Sequence, residues 1–325
     1  MKTTFRHSDT LRLTIDTVSL AFIATLVLLA VVFPDSISNS ATRIRDLVAA
    51  GVLYGMAAII VRRIPVKMVS QIVHSSAVLA LFSFLFQAVG DYQHILVEGW
   101  MDETLLSMER SLLGTEVVLS FRRLTNPIVT EWMMFAYVLY VPLLKITMLA
   151  CYRSGNPSAL YDYLLNLSLA YVVCYVGFVL FPVASPLYHA PQLFTTGFDG
   201  GLFTWMGEWI RTNQHYAGGS LPSPHCAAGT VMMVMFYRYN RRWFFILLPT
   251  FLTIYVATVY GRFHYAWDGI AGILTAAAVI RWSPVLAVAV ESLKQKLSEI
   301  SKQKIPVHFN PASKPDYTPG GAGSL

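Results

Sequence analysis

The chain has 325 residues, of which 55% are hydrophobic and only 13% charged, and its mean hydropathy is +0.53. A soluble domain carries about 25% charged residues, so this composition excludes an ordinary soluble domain and points to a protein of many membrane spans. The formal net charge of +6 does not indicate a nucleic-acid partner: the basic residues are spread over loops and the tail, with no run interleaved with aromatics, and in a membrane protein such charges set orientation.

A transmembrane helix needs about 20 apolar residues. In chain order, apolar runs occur at Thr17–Phe33, Leu47–Val61, Val69–Val89, Ile128–Cys151, Tyr163–Phe181, His225–Tyr237, Trp243–Tyr260 and Asp268–Val290. They predict an all-α polytopic bundle of about eight transmembrane helices, the second and sixth of them short. No small-residue cleavage site follows the first run closely, so it reads as a retained helix and not as a signal peptide.

Two connections are long. The stretch MDETLLSMERSLLG between runs three and four has the pattern of an interfacial amphipathic helix. Phe203, Trp205 and Trp209, between runs five and six, suit a second helix at the membrane surface. Long connections of this kind carry function or form lids. From about Ser301 the chain turns polar and ends KPDYTPGGAGSL, which reads as a disordered cytoplasmic tail. Three regions follow: a three-helix membrane region over 1–90, a catalytic membrane domain over 91–290, and a polar tail over 291–325.

With both termini placed in the cytoplasm, 17 of the 24 lysines and arginines fall on the inner side, as the positive-inside bias requires. The short basic N-terminus makes a bacterial inner membrane the expected location. Cys151, Cys174 and Cys226 form no CxxC and no disulfide framework and read as small core residues.

The chemistry-bearing residues gather at the outer side. His225 opens the sixth run in GGSLPSPHCAAGT, and His264 lies between the last two runs in VYGRFHYAWDGIAG. The 39 residues between them are one membrane hairpin, which returns the second histidine to the face of the first. Asp268 stands four residues after His264 and reaches it if both share a helix face. A carboxylate on one ring nitrogen fixes the tautomer and leaves the other nitrogen as a nucleophile. Arg262 carries a planar fork suited to phosphate. Pro222, Ser223 and Pro224 mark a helix start, whose free amides attract anions. Taken singly, each has a plain reading: Asp268 as a helix cap, Arg262 as an interfacial anchor, and His74, His94, His189 or His215 as satisfied polar residues. Two histidines and an aspartate can also bind zinc, but no HExxH is present and the adjacent arginine disfavours a cation.

These residues resemble the type 2 phosphatidic acid phosphatase (PAP2) superfamily, and most closely its branch of inositol phosphorylceramide and sphingomyelin synthases. Pro222-Ser223-Pro224-His225 matches the family's second motif and Arg262 through Asp268 its third; Phe181 through Tyr188 looks like a segment that precedes the second motif in the inositol phosphotransferase branch. The resemblance covers roughly Gly99 to Pro284. It implies that His264 attacks phosphorus, that Asp268 orients it, that His225 protonates the leaving oxygen, and that Arg262 with Ser223 holds the phosphoryl oxygens. It implies no cofactor and no metal. The family's first motif, KxxxxxxRP, is missing, and Arg122 and Arg123 are the outer-side residues that fit its role. The usual third motif has arginine six residues before the histidine, where this chain has Thr258; arginine at minus two fits the synthase-like branch.

The expected partners are a membrane lipid bearing a phosphate or phosphodiester and an alcohol acceptor. Transfer to an alcohol is the leading expectation, hydrolysis of a lipid phosphate the second. A non-enzymatic lipid transporter is a third, disfavoured because the ionisable residues cluster at one face while the span interiors are mostly apolar.

Overall fold

The computed structural model describes residues 2–121, 124–194, 197–213 and 216–303. All regular elements among them are helical, as expected. The N-terminal region consists of α1 (Lys2–Val32), α2 (Ser40–Val61) and α3 (Lys67–Val89). Two shorter helices, α4 (Asp102–Leu113) and α5 (Val117–Phe121), lead into α6 (Pro127–Arg153). Next come α7 (Ala159–Leu180), the single turn α8 (Pro186–His189), α9 (Leu202–Asn213), α10 (Pro224–Tyr239), α11 (Arg241–Tyr260) and α12 (Ala266–Gln303).

Seven of these helices are long and apolar enough to cross a membrane, as a multi-pass membrane protein requires. The sixth expected span, α10, is not one of them. It has 16 residues, or about 24 Å of helix at 1.5 Å per residue, against a hydrocarbon core of about 30 Å. The segment Ser220–Ser223, which precedes α10, reaches the end where α11 terminates, with Ser220 Oγ 3.4 Å from the Phe263 carbonyl oxygen. The helix α12 runs on through residues 291–303, which the sequence assigns to the tail; 304–325 lie outside the described residues.

Helix α7 is the hub. Its apolar stretch is 72% buried, and α1, α3, α6, α10 and α12 all pack on it. Lipid tails give helices little hydrophobic reason to associate, so polar contacts carry more of the specificity. Tyr175 donates to the Phe82 carbonyl (2.8 Å), Tyr163 to the Leu144 carbonyl (3.0 Å), and the hydroxyls of Tyr140 and Tyr171 meet at 2.7 Å. Ser283 donates to Asn166 Oδ1 at 2.9 Å, tying α12 to α7. In the N-terminal region, buried Asp16 on α1 accepts from Tyr54 (2.9 Å) and Arg62 (3.0 Å), and its Oδ1 lies 2.8 Å from His74 Nε2. That aspartate joins three helices; His74 is a buried polar residue as the sequence suggested, bonded through Nε2 but with no hydrogen-bond partner for Nδ1 among the described residues.

The two expected amphipathic helices are present as α4 and α9. In α4 the buried face is Asp102, Leu105, Leu106 and Glu109, while Met108, Leu112 and Leu113 are exposed. Two carboxylates therefore point into the protein. In α9, Leu202, Trp205 and Trp209 are exposed, and the helix is pinned to α6 by Glu131, which accepts from the amides of Gly201, Phe203 and Thr204.

Candidate active site

The site is made where α10, α11 and α12 meet at one end of the bundle. Pro224 is the first residue of α10, and Ser223 is its N-cap, accepting from the Cys226 amide at 3.4 Å. Proline suits that position because its missing N–H is not needed there. His225 is thereby fixed in the first turn. At the far end of the hairpin α11 stops at Tyr260, and the amides of Phe263 and His264 both donate to the Thr258 carbonyl at 3.1 Å. The Ser223 amide donates to the Asp268 carbonyl at 2.9 Å, joining the starts of α10 and α12. This approach needs Gly272, where a Cβ would sit 2.5 Å from the Ser223 carbonyl oxygen.

His264 and Asp268 come together, though not as two residues on one helix face. His264 precedes α12, and Asp268 lies in its first turn. Nδ1 of His264 is 3.4 Å from Oδ2 of Asp268, long for a direct hydrogen bond. Ser220 bridges the gap: its Oγ donates to Asp268 Oδ2 at 2.5 Å and lies 3.2 Å from His264 Nδ1. Asp268 Oδ2 also accepts from the Tyr265 amide at 2.9 Å. All three side chains are almost wholly buried. With Nδ1 turned to Ser220, Nε2 is the nitrogen left for chemistry.

The ring of His225 is centred 5.9 Å from that of His264. It stacks on Tyr137 at 4.9 Å and meets Tyr140 at 4.3 Å, both from α6. Tyr137 also lies flat on Phe263 at 4.1 Å, so one ring contacts the neighbour of His264 and His225 together. In the sequence both tyrosines look like ordinary belt or packing residues.

Arg262 is buried, with φ of +67°, a left-handed conformation uncommon outside glycine. Its guanidinium lies over Phe198 at 4.2 Å and over Phe194 at 4.7 Å. Aromatic faces attract a cation through the ring quadrupole. Ser223 is buried, with its hydroxyl used as the helix cap and its amide on Asp268. Arg122 and Arg123, the expected substitutes for the missing first motif, lie outside the described residues, as does His215. No group of three His, Cys, Asp or Glu side chains arranged to hold a metal occurs among the described residues.

Sequence reasoning misses the role of Ser220 and the two acids of α4. Glu109 accepts from the Ala266 amide at 2.9 Å and the Val117 amide at 3.0 Å, and Asp102 accepts from the Tyr265 hydroxyl at 2.8 Å. Burial raises both carboxyls above the usual carboxylate range, and the nearby Asp268 carboxylate adds to the rise. In a one-dimensional reading these acids look like solvent-facing charges of a surface helix.

The family model for the PAP2 superfamily matches residues 103–282 of the chain. No curated protein and no solved structure matches it.

Proposed function

Because the chain belongs to the PAP2 superfamily, whose members are generally phosphatases and phosphotransferases, we propose that it is a membrane enzyme attacking a lipid phosphate or phosphodiester through a phosphohistidine at His264. In this reading the phosphoryl or phospho-headgroup then passes to an alcohol acceptor. The observation that carries it is the arrangement of His264, Ser220 and Asp268 beside His225.

In the first step His264 Nε2 attacks phosphorus while the bond to the leaving oxygen breaks and His225 supplies that oxygen's proton. Asp268, through Ser220, holds the Nδ1 proton and stabilises the cationic ring that forms. Arg262, presented by Phe194 and Phe198, binds the phosphoryl oxygens. In the second step the acceptor hydroxyl attacks phosphorus, its proton goes to His225, and the bond to His264 breaks. The burial of His264, Ser220 and Asp268 supports transfer over hydrolysis, since a nucleophile withdrawn from water protects a reactive intermediate. The position of Arg262, two residues before His264, supports the synthase-like branch.

A groove of about 870 Å³ at the same end is walled by Ile128, Trp132, Phe135 and Phe203. It begins one residue beyond Phe198, the ring that holds Arg262, and its apolar walls suit the hydrocarbon part of a lipid. The bias of basic residues supports cytoplasmic termini with the site on the opposite face.

The test is product analysis by mass spectrometry with purified protein in detergent, supplied with lipid phosphates and phosphodiesters, with and without an alcohol acceptor. Wild type should turn over in EDTA, and His264→Ala should not. His225→Ala should accumulate a phosphate adduct on His264. Activity that survives His264→Ala, or that EDTA abolishes, would remove this reading; water as the sole acceptor would make the enzyme a phosphatase.

A further inference from the structure

The segment Pro182–Pro186 holds a conformation that needs explaining. Ser185 has φ of +87° and ψ of 156°, a region that is nearly glycine's alone. The residue is wholly buried, and its hydroxyl has no hydrogen-bond partner among the described residues. Nothing in its local sequence favours such a backbone. Strain of this kind persists only where surrounding structure enforces it, and it gathers at functional sites.

Asp102, the first residue of α4, does the enforcing. Its Oδ2 accepts from the Ala184 amide at 2.7 Å, and its Oδ1 from the Ser185 amide at 3.1 Å. The same Oδ1 accepts from the Tyr265 hydroxyl at 2.8 Å. The amide of Met101 donates to the Pro182 carbonyl at 2.8 Å, and that of Gly218 to the Ala184 carbonyl at 3.1 Å. One buried carboxylate thus fastens the strained segment to the residue next to His264, and the strained segment is itself bonded through the Ala184 carbonyl to the chain leading to Ser220. Tyr265 in turn gives its own amide to Asp268 Oδ2. A continuous set of bonds runs from the surface helix α4 to the orienting carboxylate of the site.

We propose that Asp102 is a positioning residue for the reaction: acting through Tyr265 and the Ala184–Ser185 amides, it sets His264 and Asp268 against Ser220, so that the docking of α4 controls the reactivity of the nucleophile. The kinetic side of this inference rests on the phosphohistidine reading; the positioning itself does not. The Asp102 carboxyl accepts from all three donors through its two oxygens. Asparagine has the same shape but turns an NH₂ group toward at least one of them, leaving a buried donor unpaired.

The test uses Asp102→Asn and Tyr265→Phe in the full chain, assayed with phosphatidic acid and phosphatidylinositol in mixed micelles, with hydrogen exchange followed by mass spectrometry over residues 182–189 and 261–269. Tyr265→Phe removes one bond and leaves the backbone contacts of Asp102 intact, so it guards against a folding defect. Expected are a fall in kcat of at least tenfold in both variants, KM within twofold of wild type, and a double variant no worse than Asp102→Asn. Exchange should rise in both segments of Asp102→Asn together. Wild-type kcat in both variants, a lowered melting temperature with unchanged kcat per folded molecule, or unchanged protection of 261–269 in Asp102→Asn would overturn the proposal. If wild type turns over neither lipid, the proposed function loses its support, and the exchange measurement alone decides the positioning role.

Discussion

Asp268 Oδ2 reaches His264 Nδ1 through Ser220 Oγ, which stands 2.5 Å from the carboxylate and 3.2 Å from the imidazole. Ser220 is therefore part of the device that fixes the tautomer of His264, and the direct 3.4 Å approach of the two partners is the weaker contact. A hydrogen bond to a charged group contributes about 1.5–3 kcal/mol, and each 1.4 kcal/mol is about tenfold in rate. Ser220→Ala should lower kcat about 10- to 100-fold. Asp268→Asn, which leaves the imidazole without its counter-charge, should cost about 10²- to 10⁴-fold. Steady-state kinetics of the two variants checks the order; a wild-type rate in Ser220→Ala would show that Asp268 acts on His264 directly.

The guanidinium of Arg262 lies over the ring faces of Phe198 and Phe194. Lysine keeps the charge but neither stacks as a plane nor grips two phosphoryl oxygens at once. Arg262→Lys should raise KM about tenfold or more, with about 0.5–2 kcal/mol of the loss assigned to the missing cation–π contact. Substrate titration, with melting temperature as the control for folding, measures this. An unchanged KM would place phosphate binding elsewhere.

Gly272 is where α12 passes closest to the start of α10. A methyl group there would meet the Ser223 carbonyl oxygen at 2.5 Å and the Cys226 Cβ at 3.0 Å, neither of which can swing away. Overpacking of this kind costs about 1–3 kcal/mol. Gly272→Ala should lower the unfolding midpoint and also the rate, because the same contact sets His225 against Asp268. Loss of stability without loss of rate would separate the packing from the site.

Glu109 carries a pH dependence. Burial raises its carboxyl above the ordinary value of 4.5, so the folded protein binds this proton more tightly than the unfolded chain does. The associated stability is fully present below pH 4.5 and is lost as pH rises through the raised value. Between pH 4 and 8 the melting temperature of wild type should therefore fall relative to that of Glu109→Gln, which has no proton to lose. Parallel curves would mean that Glu109 titrates as an exposed acid.

Much of the fold is legible in the sequence because a lipid-facing helix must be apolar along its whole length, and that requirement is local. The runs from Val69 and Ile128 give α3 and α6 to within a few residues. The run from His225 misleads in one respect: the apolar pattern shows that a helix exists, but its 16-residue length depends on the Ser223 cap and on the short turn at Asn240, and these leave it short of a full span. The stretch MDETLLSMERSLLG announces a helix but not its inward face. Asp102 is buried by Tyr265, 163 positions away, and no periodicity records a contact of that separation.

That His225, His264 and Asp268 lie together could be read from the sequence because their spacing follows from a single membrane hairpin. Local pattern also determined that the chain is helical, built for a membrane, and most basic in the segments assigned to one side. The tertiary structure alone decided what lies between these groups: Ser220 between His264 and Asp268, Tyr137 between His225 and Phe263, and two phenylalanines over Arg262. Those relations depend on how separate helices pack in three dimensions, and a hydrogen bond between distant segments leaves no trace in the order of the residues that make it.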